Sequence, residues 1–347
     1  MARRLMRLGL DGFFTSQVAD ADELVRPARV VVGHRDMCTV DDGIDHVRVA
    51  LKAGESVVAG DWVLVRPGGP RGLHLLHRRL ERRSLLARRA TGDVEEAQGV
   101  AANVDVVFLV EAFPAPINVH RLERGLALAW EAGARPVIVL TKADLADDPG
   151  GTLDDLAGRL GAIDIVLMRP DDTEGLACLQ ATLPEGASGV LLGPSGAGKS
   201  TLVNALAGHD TMRTAQVRRD GKGRHTTVHR ELVELPWGAV IIDTPGIRQL
   251  GVWAGQSAVD ATFDDVTQVA NQCRFADCHH EGEPGCAVQA ALADGSLSAD
   301  RLAHWQALRR EVAWQARRLP GLEQRLRRQQ DRAVMRAHEV HMRNKHR

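Results

Sequence analysis

The sequence has no tyrosine at all, and only six Phe and six Trp among 347 residues. A surface that stacks unpaired bases needs several exposed rings, so an aromatic platform is excluded as the main binding device. Lysine is nearly as scarce: Lys52, Lys142, Lys199, Lys222 and Lys345 are the only ones, and the rest of the 44 basic residues are Arg. The skew suits phosphate recognition, and it equally suits a GC-rich coding sequence. Five Cys, three of them between positions 273 and 286, are too few and too clustered for a disulfide framework. No apolar stretch approaches the ~20 residues of a membrane span; the longest, Val104–Val110, has the length of a strand. The basic segment Met1–Gly12 lacks the apolar core of a signal peptide. A cytoplasmic protein with no membrane partner is the expectation. Net charge is also lacking: at -1 the average speaks against a nucleic-acid binder.

What is present is ample apolar material, 44% of the chain, in an arrangement that changes along its length. Residues 1–98 read as β-rich, with Val-rich segments at Ala28–His34, Val47–Leu51 and Ser56–Arg66 and no convincing amphipathic helix. Short strands at that spacing predict a small barrel. Residues 99–255 alternate buried strands (Val104–Val110, Val137–Leu140, Ile163–Leu167, Gly189–Leu192) with helices, which predicts a doubly wound α/β layer. Val119, Leu122, Leu126, Ala129 and Trp130 share one face of the first helix, and Gly133 ends it. Glu231–Leu235 and Ala239–Asp243 predict a hairpin at the sheet edge. Residues 256–347 read as helical, around a Cys/His cluster and with an Arg-rich tail.

The octet Gly193-Pro194-Ser195-Gly196-Ala197-Gly198-Lys199-Ser200, with Thr201 opening the following helix, fits G-x-x-x-x-G-K-[ST] in the strand–loop–helix setting that the motif requires. Such a loop wraps phosphates with backbone N–H groups at a helix N-terminus. Lys199 would reach the β- and γ-phosphates, and Ser200 the Mg²⁺. Thr141-Lys142-Ala143-Asp144 has the form of a guanine-reading turn, because a carboxylate accepts from both N1–H and N2–H₂ of guanine and adenine lacks that donor pair. Asp243-Thr244-Pro245-Gly246 suits a second phosphate-sensing turn: Asp243 would hold Mg²⁺ through water and the Gly246 N–H would meet the γ-phosphate. Between them, Gly223-Arg224-His225-Thr226-Thr227 is a polar, Gly-flanked switch whose Thr226 would complete the Mg²⁺ shell. The guanine turn precedes the phosphate loop in the chain, the reverse of the ordinary order, so the predicted GTPase fold is circularly permuted.

Cys273, Cys278, His280 and Cys286 form C-x4-C-x-H-x5-C, a donor set for one structural, tetrahedral Zn²⁺. His279 is the adjacent rival ligand. Cys38 and Cys178 lie outside the cluster and read as small buried residues.

With these motifs together, the sequence resembles the ribosome small-subunit-dependent GTPase A (RsgA) family over nearly its whole length. Ala59-Gly60-Asp61-Trp62-Val63, Ala101-Ala102-Asn103-Val104-Asp105, Cys273-Arg274-Phe275-Ala276-Asp277-Cys278 and Glu283-Pro284-Gly285-Cys286-Ala287-Val288 carry the likeness beyond the nucleotide motifs. The resemblance implies a circularly permuted P-loop GTPase domain between an N-terminal OB-fold barrel and a C-terminal zinc-binding helical domain. It implies a factor in late maturation of the small ribosomal subunit, whose hydrolysis of GTP to GDP is stimulated by that subunit; a monomer bound to the subunit and its rRNA is the expectation. Two departures stand out. Met168-Arg169-Pro170-Asp171-Asp172 replaces the Ser-Ala-like guanine contact. Ile247 follows Gly246, and Val252-Trp253-Ala254 lacks the His that some members carry, so no water-activating group is named; His225 and Gln249 are weak local candidates.

Two basic segments are hidden by the average. His77–Ala90 holds six Arg against Glu81, and Arg301–Arg347 holds twelve Arg and Lys345 against four carboxylates. Phosphate neutralisation is the main source of sequence-independent affinity for nucleic acid, so both are expected to face RNA. Two rivals remain: a nucleotide-gated RNA-binding module with negligible hydrolysis, and a P-loop kinase acting on a small molecule.

Overall fold

The computed structural model describes residues 1–18, 24–34, 36–52, 54–68, 72–89, 97–208, 232–243, 254–316, 334–335 and 338. Two short helices open the chain, α1 (Ala2–Arg7) and α2 (Gly12–Thr15), the second capped by the Asp11 carboxylate accepting from the Phe13 N–H. Both precede the Val-rich segments and do not interrupt them, and both are shorter than the window over which helical periodicity becomes visible. They bury Leu5, Leu8 and Phe14.

Five strands follow into a closed barrel: β1 (Arg26–Gly33), β2 (Met37–Asp41), β3 (His46–Ala50), β4 (Trp62–Arg66) and β5 (His74–Arg79), in the order β1-β2-β3-β5-β4. Alternation fills the interior: Ala28 and Val30, Cys38 and Val40, Val49, Val63 and Val65 meet there. The opposite face of β4 is buried too, with Trp62 and Leu64 joining the main core. The segment expected as a strand from Ser56 begins its ladder only at Trp62, because Gly60 turns there with φ +89° and packs against the next unit. A Cβ on Gly60 would lie 2.2 Å from the Ala102 carbonyl oxygen.

The hairpin β6 (Leu85–Arg89) and β7 (Ala97–Ala102) leads into a six-stranded sheet. Its elements are β8 (Val106–Ala112), α3 (Val119–Glu131), β9 (Arg135–Thr141), α4 (Pro149–Leu160), β10 (Asp164–Leu167), α5 (Thr173–Thr182), β11 (Ser188–Leu192), α6 (Lys199–Ala207), β12 (Leu232–Glu234) and β13 (Val240–Ile242). The spatial order is β10-β9-β8-β11-β13-β12, parallel throughout except for the β12–β13 edge hairpin. Strands buried on both faces read as continuous apolar runs, which is why the sequence revealed them. The Asn118 side chain caps α3, and Gly133 closes its end at φ +70°. From β8 the chain winds outward to β9 and β10, and then returns to the other flank at β11. The gap between the carboxyl ends of β8 and β11 is thus a topological switch point, where open α/β sheets bind ligands.

The C-terminal helices are α7 (Gln256–Thr262), α8 (Asp264–Ala270), α9 (Ala287–Ala293) and α10 (Ala299–Ala316). α7 packs on α3 and on α10. No helix among the described residues is long and apolar enough to cross a membrane.

Candidate nucleotide site and metal centre

The loop 193–198 leaves β11 at the switch point and runs into α6. Its shape needs glycine. Gly193, Gly196 and Gly198 have φ of +156°, +82° and +80°, and a Cβ on Gly193 would lie 2.1 Å from the Val110 carbonyl oxygen on β8. Lys199 folds back over the loop, donating to the carbonyls of Gly193 at 2.9 Å and Pro194 at 2.7 Å. Burial pulls its pKa below the ordinary lysine value, while the charges of Asp243 and Glu111 oppose that shift. Ser200, half-buried, and Thr201, exposed, occupy the first turn of α6.

The tetrapeptide 141–144 leaves β9 beside this loop. Thr141 Oγ1 donates to the Ala197 carbonyl at 2.8 Å, and Lys142 Nζ donates to the Gly196 carbonyl at 3.0 Å. Lys142 sits at φ +56°, and its stem lies exposed next to the phosphate loop. A single 3-10 turn, Ala143–Leu145, follows and leaves the Asp144 carboxylate in solvent. The Ala143 N–H donates to the Met168 carbonyl at 3.0 Å, which sets segment 168–172 against the tetrapeptide. There Asp172 accepts from the N–H groups of Arg169 and Gly175 and caps α5. Asp243 closes β13 close enough to influence Lys199. Thr226, Gly246, Ile247, His225 and Gln249 lie outside the described residues.

Sequence reading missed Glu111, which is buried at the carboxyl end of β8 and paired with Arg121 through two hydrogen bonds of 2.5 and 2.6 Å. The available signal was a carboxylate ending a purely apolar run. In the basic segments two arginines have internal partners, and the tail beyond residue 316 lies, apart from 334, 335 and 338, outside the described residues. Arg301 is buried and paired with Glu123 and Asp265, and Arg82 is paired with the fully buried Asp61, so neither faces outward. Arg residues at interfaces between packed elements balance carboxylates that apolar neighbours would otherwise strand.

In the C-terminal unit, Cys273, Cys278, His280 and Cys286 bring one ligand atom each within 4.8 Å of one another. The His280 Nδ1 lies 3.6 Å from both Cys273 Sγ and Cys286 Sγ. His280 adopts φ +63°, and the neighbouring loop is held by Glu283, which accepts from the N–H groups of His279 and Glu281. His279 is exposed and outside the group, which resolves the rivalry in favour of His280. Three thiols and an imidazole converging on one point, with the Gln289 N–H also directed at Cys286 Sγ, fit a closed metal site. Cys38 is buried as expected; Cys178 is exposed, contrary to expectation, because α5 turns that position outward.

The sequence profile described as RsgA GTPase matches residues 79–253. The chain belongs to the RsgA GTPase family. The small ribosomal subunit biogenesis GTPase RsgA of Opitutus terrae is 41% identical over 336 residues, covering 91% of each chain. Its namesake in Streptomyces coelicolor is 42% identical, with 84% of this chain and 81% of that protein covered. Among solved structures, YjeQ from Thermotoga maritima superposes with a TM-score of 0.62 at 26% identity, over 84% of this chain and 99% of that one. YloQ, described as a circularly permuted GTPase, gives a TM-score of 0.60 at 24% identity over 87% and 98%, a likeness of fold. The RsgA motifs also acquire a structural meaning. Asp61 receives Arg82, Asn103 donates to the Gly60 carbonyl and accepts from the Arg83 N–H, and Asp105 accepts from the Ser188 N–H. They build the seam between barrel and sheet.

Proposed function

We propose that this chain hydrolyses GTP to GDP and phosphate and serves the late maturation of the small ribosomal subunit, bound to its rRNA as a monomer. Residues 1–98, 99–255 and 256–347 act in this reading as barrel, permuted GTPase and zinc-holding helical unit. The observation that carries it is the junction of two loops: Thr141 and Lys142 reach the carbonyls of Ala197 and Gly196 at 2.8 and 3.0 Å, so base reading and phosphate cradling share one crevice.

The loop 193–198 and the first turn of α6 cradle the phosphates, and Thr141–Asp144 reads the guanine edge. Lys199, released from the Gly193 and Pro194 carbonyls, moves to the β- and γ-phosphates. Ser200 and Thr226 would hold Mg²⁺, with Asp243 behind a water; Mg²⁺ supplies charge neutralisation between the phosphates. Gly246 would report the γ-phosphate through its N–H. The Cys273, Cys278, His280 and Cys286 set suits Zn²⁺, which would fix the loop between α8 and α9 and take no part in the reaction.

Turnover of GTP and of ATP, each with and without purified small subunits, tests the reading. Expected is GTP hydrolysis in preference to ATP, stimulated by subunits. Equal turnover with and without subunits would remove the ribosomal role, and a phosphorylated small-molecule product would replace the hydrolase with a kinase.

A further inference from the structure

Outside the nucleotide crevice, one polar cluster joins the sheet unit to the C-terminal helices. On α3, His120 and Glu123 lie three positions apart; on α10, Asp300 and His304 lie four apart. Both spacings place a pair on one helical face. Across the gap, His304 Nδ1 is hydrogen-bonded to Glu123 Oε2, and His120 Nε2 is 3.2 Å from Asp300 Oδ2. The two imidazoles stack with centroids 4.2 Å apart. Glu123 is 1% and His304 8% exposed, whereas the His120 side chain is half-exposed.

Both oxygens of Glu123 are engaged, Oε2 by His304 and Oε1 by Arg301, and Arg301 is shared. Arg301 Nη1 donates to Glu123 Oε1 at 2.7 Å, but the same guanidinium also donates twice to Asp265, at 2.6 and 2.7 Å. One positive charge thus serves two carboxylates, and Glu123 Oε2 faces the imidazoles. One donor atom each from His120, Glu123 and His304 lies within 4.8 Å of the others. In a tetrahedral site with bonds of about 2.0–2.1 Å donors stand about 3.4 Å apart, so closure requires the rings to turn out of their stack until a nitrogen of each faces the same point. Two imidazoles and a carboxylate, presented by facing helices, suit a divalent first-row transition ion. With Nε2 hydrogen-bonded to Asp300, His120 keeps Nδ1 for the metal, and Asp300 orients the ring.

We propose that His120, Glu123 and His304 form a second metal site, for a divalent ion such as Zn²⁺ or Co²⁺, that staples α3 of the sheet unit to α10. It is chemically distinct from the cysteine site, since it offers only nitrogen and oxygen.

The test titrates Co²⁺ into the full chain already carrying one Zn²⁺ per molecule. Bound metal is counted, and the visible spectrum and the thermal midpoint are recorded. Expected is a second bound equivalent with ligand-field bands but no thiolate-to-cobalt charge transfer, and a midpoint that rises with Co²⁺. His120→Ala removes a half-exposed ring, so the fold is kept; it should weaken the second equivalent by about tenfold or more and abolish the rise. His304→Gln should do the same. If only one metal is bound, if charge transfer shows that Co²⁺ merely displaces Zn²⁺ from the thiolates, or if His120→Ala leaves the second equivalent unchanged, the cluster is a proton-held clasp only and the proposal is overturned.

Discussion

The two ends of the six-stranded sheet are finished in opposite ways. At the carboxyl ends of β8 and β11 the loop 193–198 offers backbone groups arranged by three positive-φ glycines, and the half-buried Lys199 is parked on loop carbonyls that a phosphate could replace. At the amino ends the polar groups are side chains, and each is already committed. Arg29, buried on β1, donates to the carbonyls of Leu8, Gly60 and Asn103 and to Ser188 Oγ on β11. Burial lowers its pKa to about 10, so it stays charged at neutral pH, where Asp105 and Asp61 favour that charge. Ser84 Oγ likewise accepts from the Val104 N–H and donates to its carbonyl. One end is built to exchange a ligand, and the other to hold two units in register. Mutations should therefore separate them: changes at the carboxyl end should cost activity, and changes at the amino end stability.

The largest effect is expected from Arg29→Ala. It leaves several buried acceptors without a donor, and the charges of Asp61 and Asp105 without their buried cation. A loss of roughly 3–5 kcal/mol in a urea titration follows. GTP binding by the molecules that remain folded should change little. A loss below about 1 kcal/mol would show that the seam does not depend on this guanidinium.

Lys199→Ala probes the opposite end. Removing a preorganised cation from the phosphates should lower kcat for GTP by about 10²–10³-fold. The urea midpoint should stay close to that of the parent, since the bonds lost are two half-exposed ones to loop carbonyls. A large fall in midpoint with preserved hydrolysis would invert the contrast between the ends.

The carboxyl end was legible in the sequence and the amino end was not, for a physical reason. A phosphate loop must be local: Gly193 to Ser200 is one continuous stretch, because consecutive backbone N–H groups do the work. The four metal-binding candidates from Cys273 to Cys286 are local too, and only the choice between His279 and His280 had to wait for geometry. The seam draws on positions far apart in the chain, since Arg29 reaches Ser188, 159 residues away; so does the junction of α3 with α10, where His304 reaches Glu123, 181 away. No periodicity or spacing encodes such a pairing. The same limit explains the over-reading of basic residues. Arg301 and Arg82 look like surface charge when counted along the chain, and they are internal partners once Glu123, Asp265 and Asp61 arrive from elsewhere.

A smaller effect at the carboxyl end is expected from Asp144→Asn. The exposed carboxylate would accept from two guanine donors, and the amide can present only one acceptor while placing an NH₂ group against the other. Loss of one hydrogen bond to a charged group, about 1.5–3 kcal/mol, should weaken GTP binding by about 10–150-fold. Xanthosine triphosphate, which has a carbonyl where guanine has its amino group, should bind the variant better than GTP. An unchanged GTP affinity would move base recognition away from Thr141–Asp144.

The smallest effect, and the finest test of the seam, is Asp105→Asn. Burial raises the pKa of Asp105 above 3.8, against the pull of its hydrogen bond from the Ser188 N–H and of the Arg29 and Arg83 charges. A carboxyl that holds its proton more tightly when folded than when unfolded makes the folded state less stable once it ionises. That penalty is present at neutral pH, diminishes as pH falls through the raised pKa, and is gone below 3.8. An amide keeps an acceptor for the Ser188 N–H, bonded at 2.8 Å, and carries no charge to desolvate. The variant should therefore melt slightly above the parent at pH 7, with the difference shrinking as the pH is taken down toward 3.8. A variant that melts below the parent at pH 7 would mean that pairing with Arg29 and Arg83 outweighs burial. The amino end of the sheet would then be held by its charges, and not merely by its hydrogen bonds.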